Sequence, residues 1–186
     1  MIELLQKISA CTDPFAPDVL YTVRLWNIVQ EIFNLVGFDL SLALTEFGTG
    51  IHQWCPVLDE DMLQNGENDL YKHWERQPLF ALCMWFLTQR PCIHQKSMGT
   101  TELYRAMKHI YVALQIDFGM RVETVQFGML IAIYEVSHGL QTQADLTVSS
   151  CVIMLQNLDF ETFPVFVNKQ PHMLKRLKSS LLRLDR

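Results

Sequence analysis

His52 and Cys55 are the first residues that could do chemistry, an H-x-x-C pair inside "GIHQWCPVLDEDML". An imidazole and a thiolate three residues apart are the start of a zinc site, but a zinc site needs four ligands at matching spacing. Nothing nearby supplies the rest, so the expectation is no structural metal and no cofactor. Trp54 and Val57 are expected to pack, with Cys55 a small buried apolar group. Nucleophilic catalysis by cysteine would need a low-pKa thiolate beside a base. The chain has five cysteines (Cys11, Cys55, Cys83, Cys92, Cys151) and six histidines, scattered and never in a C-x-x-C pair. Chance pairings are therefore plentiful and no pairing is singled out. The cysteines form neither a disulfide framework nor a zinc-finger spacing. His138 falls near a helix end, where the negative pole of the dipole suits it. Asp59, Glu60 and Asp61 read as a solvated helix start rather than a cation site. There is no G-x-S-x-G, no phosphate-binding glycine loop and no H-E-x-x-H. No catalytic, metal-ligating or DNA-binding residue is expected, and the ligand-binding residues stay unassigned. Met84, Trp85, Met107, Met120, Met129 and Met154 could line an adaptable apolar pocket, but at helical spacing they read first as core.

The elements that would position these residues are helical. Apolar residues recur at three and four from Asp18 to about Val36 (Leu25, Ile28, Val29, Ile32, Phe33, Val36), with Gly37 as a stop. A second helix is expected from Leu40 to Phe47, ended by "GTG". Pro78 starts a helix through Thr88 with Leu79, Leu82, Cys83, Phe86 and Leu87 inward. Thr100 or Thr101 is expected to cap the next, which carries Leu103, Ala106, Met107, Ile110, Leu114 and Phe118. Glu123 to His138 is apolar nearly all round and belongs in the middle of a bundle, with Gly139 as its C-terminal cap. Thr142 to Leu158 follows, with Leu146, Val148, Cys151, Val152 and Leu155 inward. Pro171 opens a final basic helix with Leu174, Leu177, Leu181 and Leu184. The fold class is all-α, an antiparallel helical bundle with short connectors.

A chain of 186 residues that is 49% hydrophobic and 19% charged can bury a genuine core. Its formal net charge of -5 excludes a general attraction to nucleic acid. The cations cluster in residues 169–186: Lys169, Lys175, Arg176, Lys178, Arg183 and Arg186 against Asp185. The leucine stripe there fits docking on the chain's own acidic body. The N-terminus has no basic n-region and no long apolar stretch, so no signal peptide is expected. The apolar runs are too short to span a bilayer. An intracellular, reducing compartment is expected.

Several segments together resemble the fungus-specific transcription factor domain, the regulatory middle region of zinc binuclear-cluster regulators. "GIHQWCPVLDEDML" resembles that family's opening segment, on which His52, Trp54, Pro56, Val57, Leu58 and Asp59 match. "PLFALCMWFLTQR" and "ELYRAMKHIYVAL" resemble its first core helices. "ETVQFGMLIAIYEVSHGLQTQADLTVSSCVIMLQNLDF" is the best match, with Glu123, Val125, Gln126, Tyr134, Gly139, Met154 and Leu158 in place. "LKRLKSSLLRLDR" resembles a later helix through Lys175, Arg176, Leu181, Leu184, Asp185 and Arg186. Lys178 and Ser179 stand where the family has tryptophans. No six-cysteine cluster precedes the domain, and the chain stops at Asp185–Arg186 where family members continue. A fragment, a truncated gene product or a minimal standalone version is the expectation.

The resemblance covers roughly residues 45–186 and implies a division into a helical extension, 1–44, and a partial regulatory-like domain, 45–186. It implies a non-catalytic regulatory or interaction module in the nucleus. Its partners would be other proteins or a second copy, met through helical surfaces, with a small-molecule effector as a further ligand. Neither specific nucleic-acid binding nor a membrane is expected. The competing reading is a small helical enzyme or carrier holding an apolar metabolite in a bundle pocket. A third is a bare helical scaffold.

Overall fold

The computed structural model describes residues 18–37, 39–58, 78–88, 98–117, 121–158 and 179–180. Among them there is no strand, and the fold is all-α. Helix α1 covers Asp18–Val36, α2 Leu40–Thr49, α3 the single turn Ile51–Trp54, α4 Pro78–Thr88, α5 Met98–Asp117, α6 Val122–Ser137 and α7 Gln141–Asn157.

Local chemistry sets most of the ends. α1 stops at Gly37, whose φ of 65° lies in the left-handed region where a glycine is strain-free. The Asp39 carboxylate caps α2 by accepting from the Ser41 amide at 2.9 Å. Gly139, with φ of 70°, ends α6. The Leu140 amide reaches back to the Glu135 carbonyl at 2.8 Å, and the Gly139 amide to Val136 at 3.1 Å. That pair of bonds is a Schellman closure, as expected of a glycine just past a helix. Two boundaries differ from the expected ones by more than one residue. α2 continues past Phe47 through Gly48 and Thr49, because Gly50 rather than "GTG" as a unit breaks it. α5 begins at Met98, so Thr100 and Thr101 sit in its first turn instead of capping it. A threonine is tolerated in a first turn and does not by itself mark a boundary.

Burial follows the apolar stripes. α1 presents Ile28, Val29, Ile32 and Phe33, and α2 presents Ala43, Leu44 and Phe47. These join α4 to α7 in one hydrophobic core. α4 packs against α1, α2 and α6. It is therefore buried from Phe80 to Phe86 on every face, more completely than an amphipathic reading implies. Phe33 meets Trp85 edge-on with ring centroids 6.4 Å apart. α6 is buried continuously from Thr124 to Glu135, the central position expected for it. Met84, Met107, Met129 and Met154 are buried in this core, as is Trp85. Met120 lies outside the described residues.

α7 corrects one expectation. Leu146 is 67% exposed, and the inward positions are Ala144, Thr147, Val148, Cys151, Met154 and Leu155. A polar Thr147 displaces the leucine from the interior because the groups waiting there are polar. Among the described residues no single helix is long and apolar enough to cross a bilayer. Asp59, Glu60 and Asp61, and all of the basic 169–186 segment except Ser179 and Ser180, fall outside the described residues.

Candidate functional site

The segment that carries His52 and Cys55 is docked. Gly50 breaks the chain between α2 and α3, and the Cys55 amide closes the single turn on the Ile51 carbonyl at 2.9 Å. The stretch after it is swallowed by the core: Cys55, Val57 and Leu58 are fully buried. A buried backbone needs partners. Gln126, itself inside α6, donates from Nε2 to the Val57 carbonyl at 2.9 Å. Val57 and Gln126, 69 positions apart in the sequence, are thus held together. Trp54 departs from expectation, with 44% of its surface exposed. It sits in the one-turn α3, where the adjacent Cys55 and Val57 take the inward positions. The His52 ring lies beside Phe47, centroids 6.2 Å apart. Among the described residues no three His, Cys, Asp or Glu side chains converge as a ligand set.

The cysteine thiols are placed for packing. Burial pushes the Cys83 thiol well up. Burial also pushes Cys151 up to about 12, against the smaller opposing effect of its Tyr111 hydrogen bond. A thiol held protonated is a poor nucleophile. Cys151 Sγ lies 3.7 Å from the Val125 carbonyl, to which it donates, and 3.3 Å from the Tyr111 hydroxyl. With its proton so committed, the sulfur accepts from Tyr111.

The densest polar constellation lies where α5, α6 and α7 meet, around Glu135. This carboxylate is 0% exposed. Tyr104 on α5 donates to Oε1 at 2.6 Å, and Lys108, one turn later, pairs with the same oxygen at 2.9 Å. Thr147 on α7 donates to Oε2 at 2.6 Å and receives Lys108 Nζ at 2.6 Å. The single threonine proton also has the Gln143 carbonyl in reach at 2.8 Å. A charged acceptor is the stronger of the two. Both carboxylate oxygens are thus satisfied by protein groups. The Tyr104 hydroxyl is pushed well above the usual tyrosine range, by burial first and then by its bond to Glu135. It is a fixed donor rather than an acid near neutrality.

Aromatic rings wall this cluster. Tyr134 stacks on Phe86 with centroids 3.7 Å apart and on His138 at 3.8 Å, with Tyr104 at 5.5 Å. His138 Nδ1 lies 2.9 Å from the Tyr134 carbonyl at the end of α6. That fits the dipole role expected of it. His138 stands out in the sequence by its place at a helix end, whereas Glu135, Lys108, Tyr104 and Thr147 match no motif there. One signal was present: a glutamate at Glu135 inside an otherwise apolar run. A buried charge of that kind demands partners on other helices.

A second polar level lies about two turns along. Tyr111 replaces Tyr104, Gln115 replaces Lys108, and the partner surface is Cys151, Ser150 and Met154. Gln115 Nε2 donates to Ser150 Oγ at 2.6 Å and lies 3.8 Å from Met154 Sδ. On α6 this level has Gly128. A Cβ there would come within 2.5 Å of the Tyr111 hydroxyl and 2.6 Å of Cys151 Sγ.

In sequence the chain is similar to a fungal transcription factor. The relative is Transcription factor BOA15 of Botryotinia fuckeliana (strain B05.10), 24% identical over 115 residues, which is 61% of this chain. The matched stretch spans about 63% of that relative's own length. No protein-family model matches the chain. No solved structure matches it.

Proposed function

We propose that this chain is a regulatory and interaction module of a fungal transcription regulator, of the kind formed by the fungus-specific transcription factor domain. The observation that carries this is the 115-residue similarity to a fungal transcription factor. The module acts in the nucleus, through helical surfaces that meet protein partners or a second copy, and responds to a small-molecule effector. It is non-catalytic. Supporting that, the interior groups with reactive potential are spent on one another: Glu135 on Tyr104, Lys108 and Thr147, and Cys151 on Tyr111 and Val125. Catalysis needs such groups to converge on a substrate.

The chain does not read DNA by itself. Sequence-specific readout needs base-edge contacts as well as phosphate neutralisation. The cations gathered in residues 169–186 would give only weak, salt-sensitive association.

The test inserts the chain between a heterologous DNA-binding domain and a strong activation domain in a yeast reporter strain. Reporter output is expected to fall several-fold relative to an inert helical spacer of equal length. Equal output at equal nuclear protein level would overturn the regulatory reading. In parallel, the isolated chain is titrated at physiological salt with duplexes selected from a random pool. No sequence preference is expected. A nanomolar affinity lost on replacing Lys175, Arg176 and Lys178 would overturn the second half.

A further inference from the structure

The turn of α7 that carries Thr147 inward leaves Leu146 outside, and a second aliphatic side chain stands with it. Leu146 is 67% exposed, and Ile153, two turns further along, is 55% exposed. At that spacing the two share one face of the helix. Thr142, Ser149 and Gln156, at the intervening steps of three and four, are exposed as well. The stripe 142–146–149–153–156 has the spacing of a helix-pairing seam. It lies on the side of α7 away from the buried Val148, Cys151 and Leu155.

Charge says what can cover this stripe. The chain carries a formal net charge of -5, so two copies can meet closely only where charge is scarce. α7 has one charged side chain in 17 residues, Asp145. A strongly basic or acidic partner would find nothing along the stripe to pair with. What matches two aliphatic groups framed by hydroxyls and an amide is a helix of the same chemistry, and a second α7 is one.

The stripe is also matched to itself. Leu146 and Ile153 lie equally far, on either side, from the point between Ser149 and Ser150. A two-fold interface needs residue i to meet j and j to meet i. With two α7 helices antiparallel about that point, Leu146 of each copy meets Ile153 of the other. Small serines then stand where the backbones come closest. A parallel pairing would set the two Asp145 carboxylates level. The antiparallel one parts them by about 13 Å along the axis, beyond the screening length at physiological salt.

We propose that α7 is a homodimer seam, pairing antiparallel with α7 of a second copy through Leu146 and Ile153. This seam gives the interaction module proposed above its surface, and rests on that reading. A seam one helix long falls at the weak end of specific interfaces, below roughly 1,200 Å². A reversible, concentration-dependent dimer is therefore expected.

The test is sedimentation equilibrium of the full chain up to on the order of 100 μM, well above the micromolar constants of weak interfaces. Wild type is expected to move from monomer to dimer mass as concentration rises. Leu146→Glu and Ile153→Lys, each alone, set a charge against an aliphatic group and are expected to stay monomeric. Mixed in equal amounts, the two variants are expected to regain the dimer, because the new carboxylate then faces the new ammonium. Both positions are exposed, so thermal melts of both variants in dilute solution are expected to match wild type. A wild type monomeric throughout, a dimer indifferent to the substitutions, or a mixture that stays monomeric would each overturn the proposal. So would a variant that melts well below wild type, because its side chain would then belong to the core. The mass measurement is independent of the reporter assay: a monomeric chain that still lowers reporter output overturns this seam and leaves the regulatory reading standing.

Discussion

Glu135 and Lys108 show how much depends on one proton-bearing group and its partner. Breaking a buried ion pair from one side leaves a charge stranded. Lys108→Met is therefore expected to destabilise by about 3 kcal/mol, the low end of the range for such pairs. The low end applies because the lysine side chain keeps 26% exposure, so water already weakens the pair. A urea midpoint unchanged within error would show that Lys108 contributes nothing at Glu135. High pH tests another set of residues. Cys151, Cys83, Tyr104 and Tyr111 all have pKa values raised by burial. Each is neutral when protonated, and the unfolded chain loses the proton first. Between pH 9.0 and about 12 for Cys151, the folded state therefore binds more protons than the unfolded state. Stability is full below pH 9 and falls above it, by up to about 1.4 kcal/mol per pH unit for each fully buried thiol and by less for the part-exposed Tyr104. Thermal melts at pH 7, 9 and 10.5 should show the loss only in the last interval, and a flat profile would contradict the burial of these groups.

Helix packing decides what a glycine is for. Gly48 lies inside α2 with nothing within 4 Å of where a Cβ would stand. Gly48→Ala removes only conformational freedom and is expected to stabilise by roughly 0.5–1 kcal/mol. Gly128 lies inside α6 at the crossing with α5 and α7, and the same substitution drives a methyl into Tyr111 and Cys151. The propensity gain of about 1 kcal/mol is outweighed by overpacking of about 1–3 kcal/mol. Gly128→Ala is expected to lower the melting temperature while Gly48→Ala raises it. Matching shifts from the two alanines would mean that α5 does not cross α6 at Gly128. Sequence spacing could not show this difference, since it placed Gly48 in the stop after Phe47 and gave Gly128 no role. Only the approach of a third helix does.

At the largest scale, the described helices are organised around α6. Ile131 is fully buried near the middle of its buried run. Ile131→Asp would place an unpaired charge in the core at a cost of several kcal/mol, a large share of the roughly 5–15 kcal/mol that holds a domain together. The variant is expected to lose near-ultraviolet dichroism and cooperative melting. A soluble, cooperatively folding Ile131→Asp chain would displace α6 from the centre. The docked segment around Val57 belongs to the same architecture, because its carbonyl is satisfied by Gln126 of that central helix. Gln126→Leu, which keeps the volume and removes the donor, is expected to expose Cys55 to thiol reagents in the native state. No gain in reactivity would show that apolar packing alone holds the segment.

Much of this was legible from the residues alone, wherever a local rule suffices. The spacing of Ile28, Val29, Ile32 and Phe33 makes a helix and chooses its face. Gly37 and Gly139 end helices because a left-handed backbone is cheap only for glycine. The unbroken apolar run of α6 has to be central, because it has no face to show to water. The rest depends on what lies across the core. Leu146 points outward and Thr147 inward because Glu135 and Lys108 occupy the space beyond. Glu135 is tolerable only once Tyr104, Lys108 and Thr147 arrive from two other helices. A buried charge is visible in a sequence as an oddity, but its partners lie 12 to 31 positions away. Chain folding alone brings them within hydrogen-bonding distance.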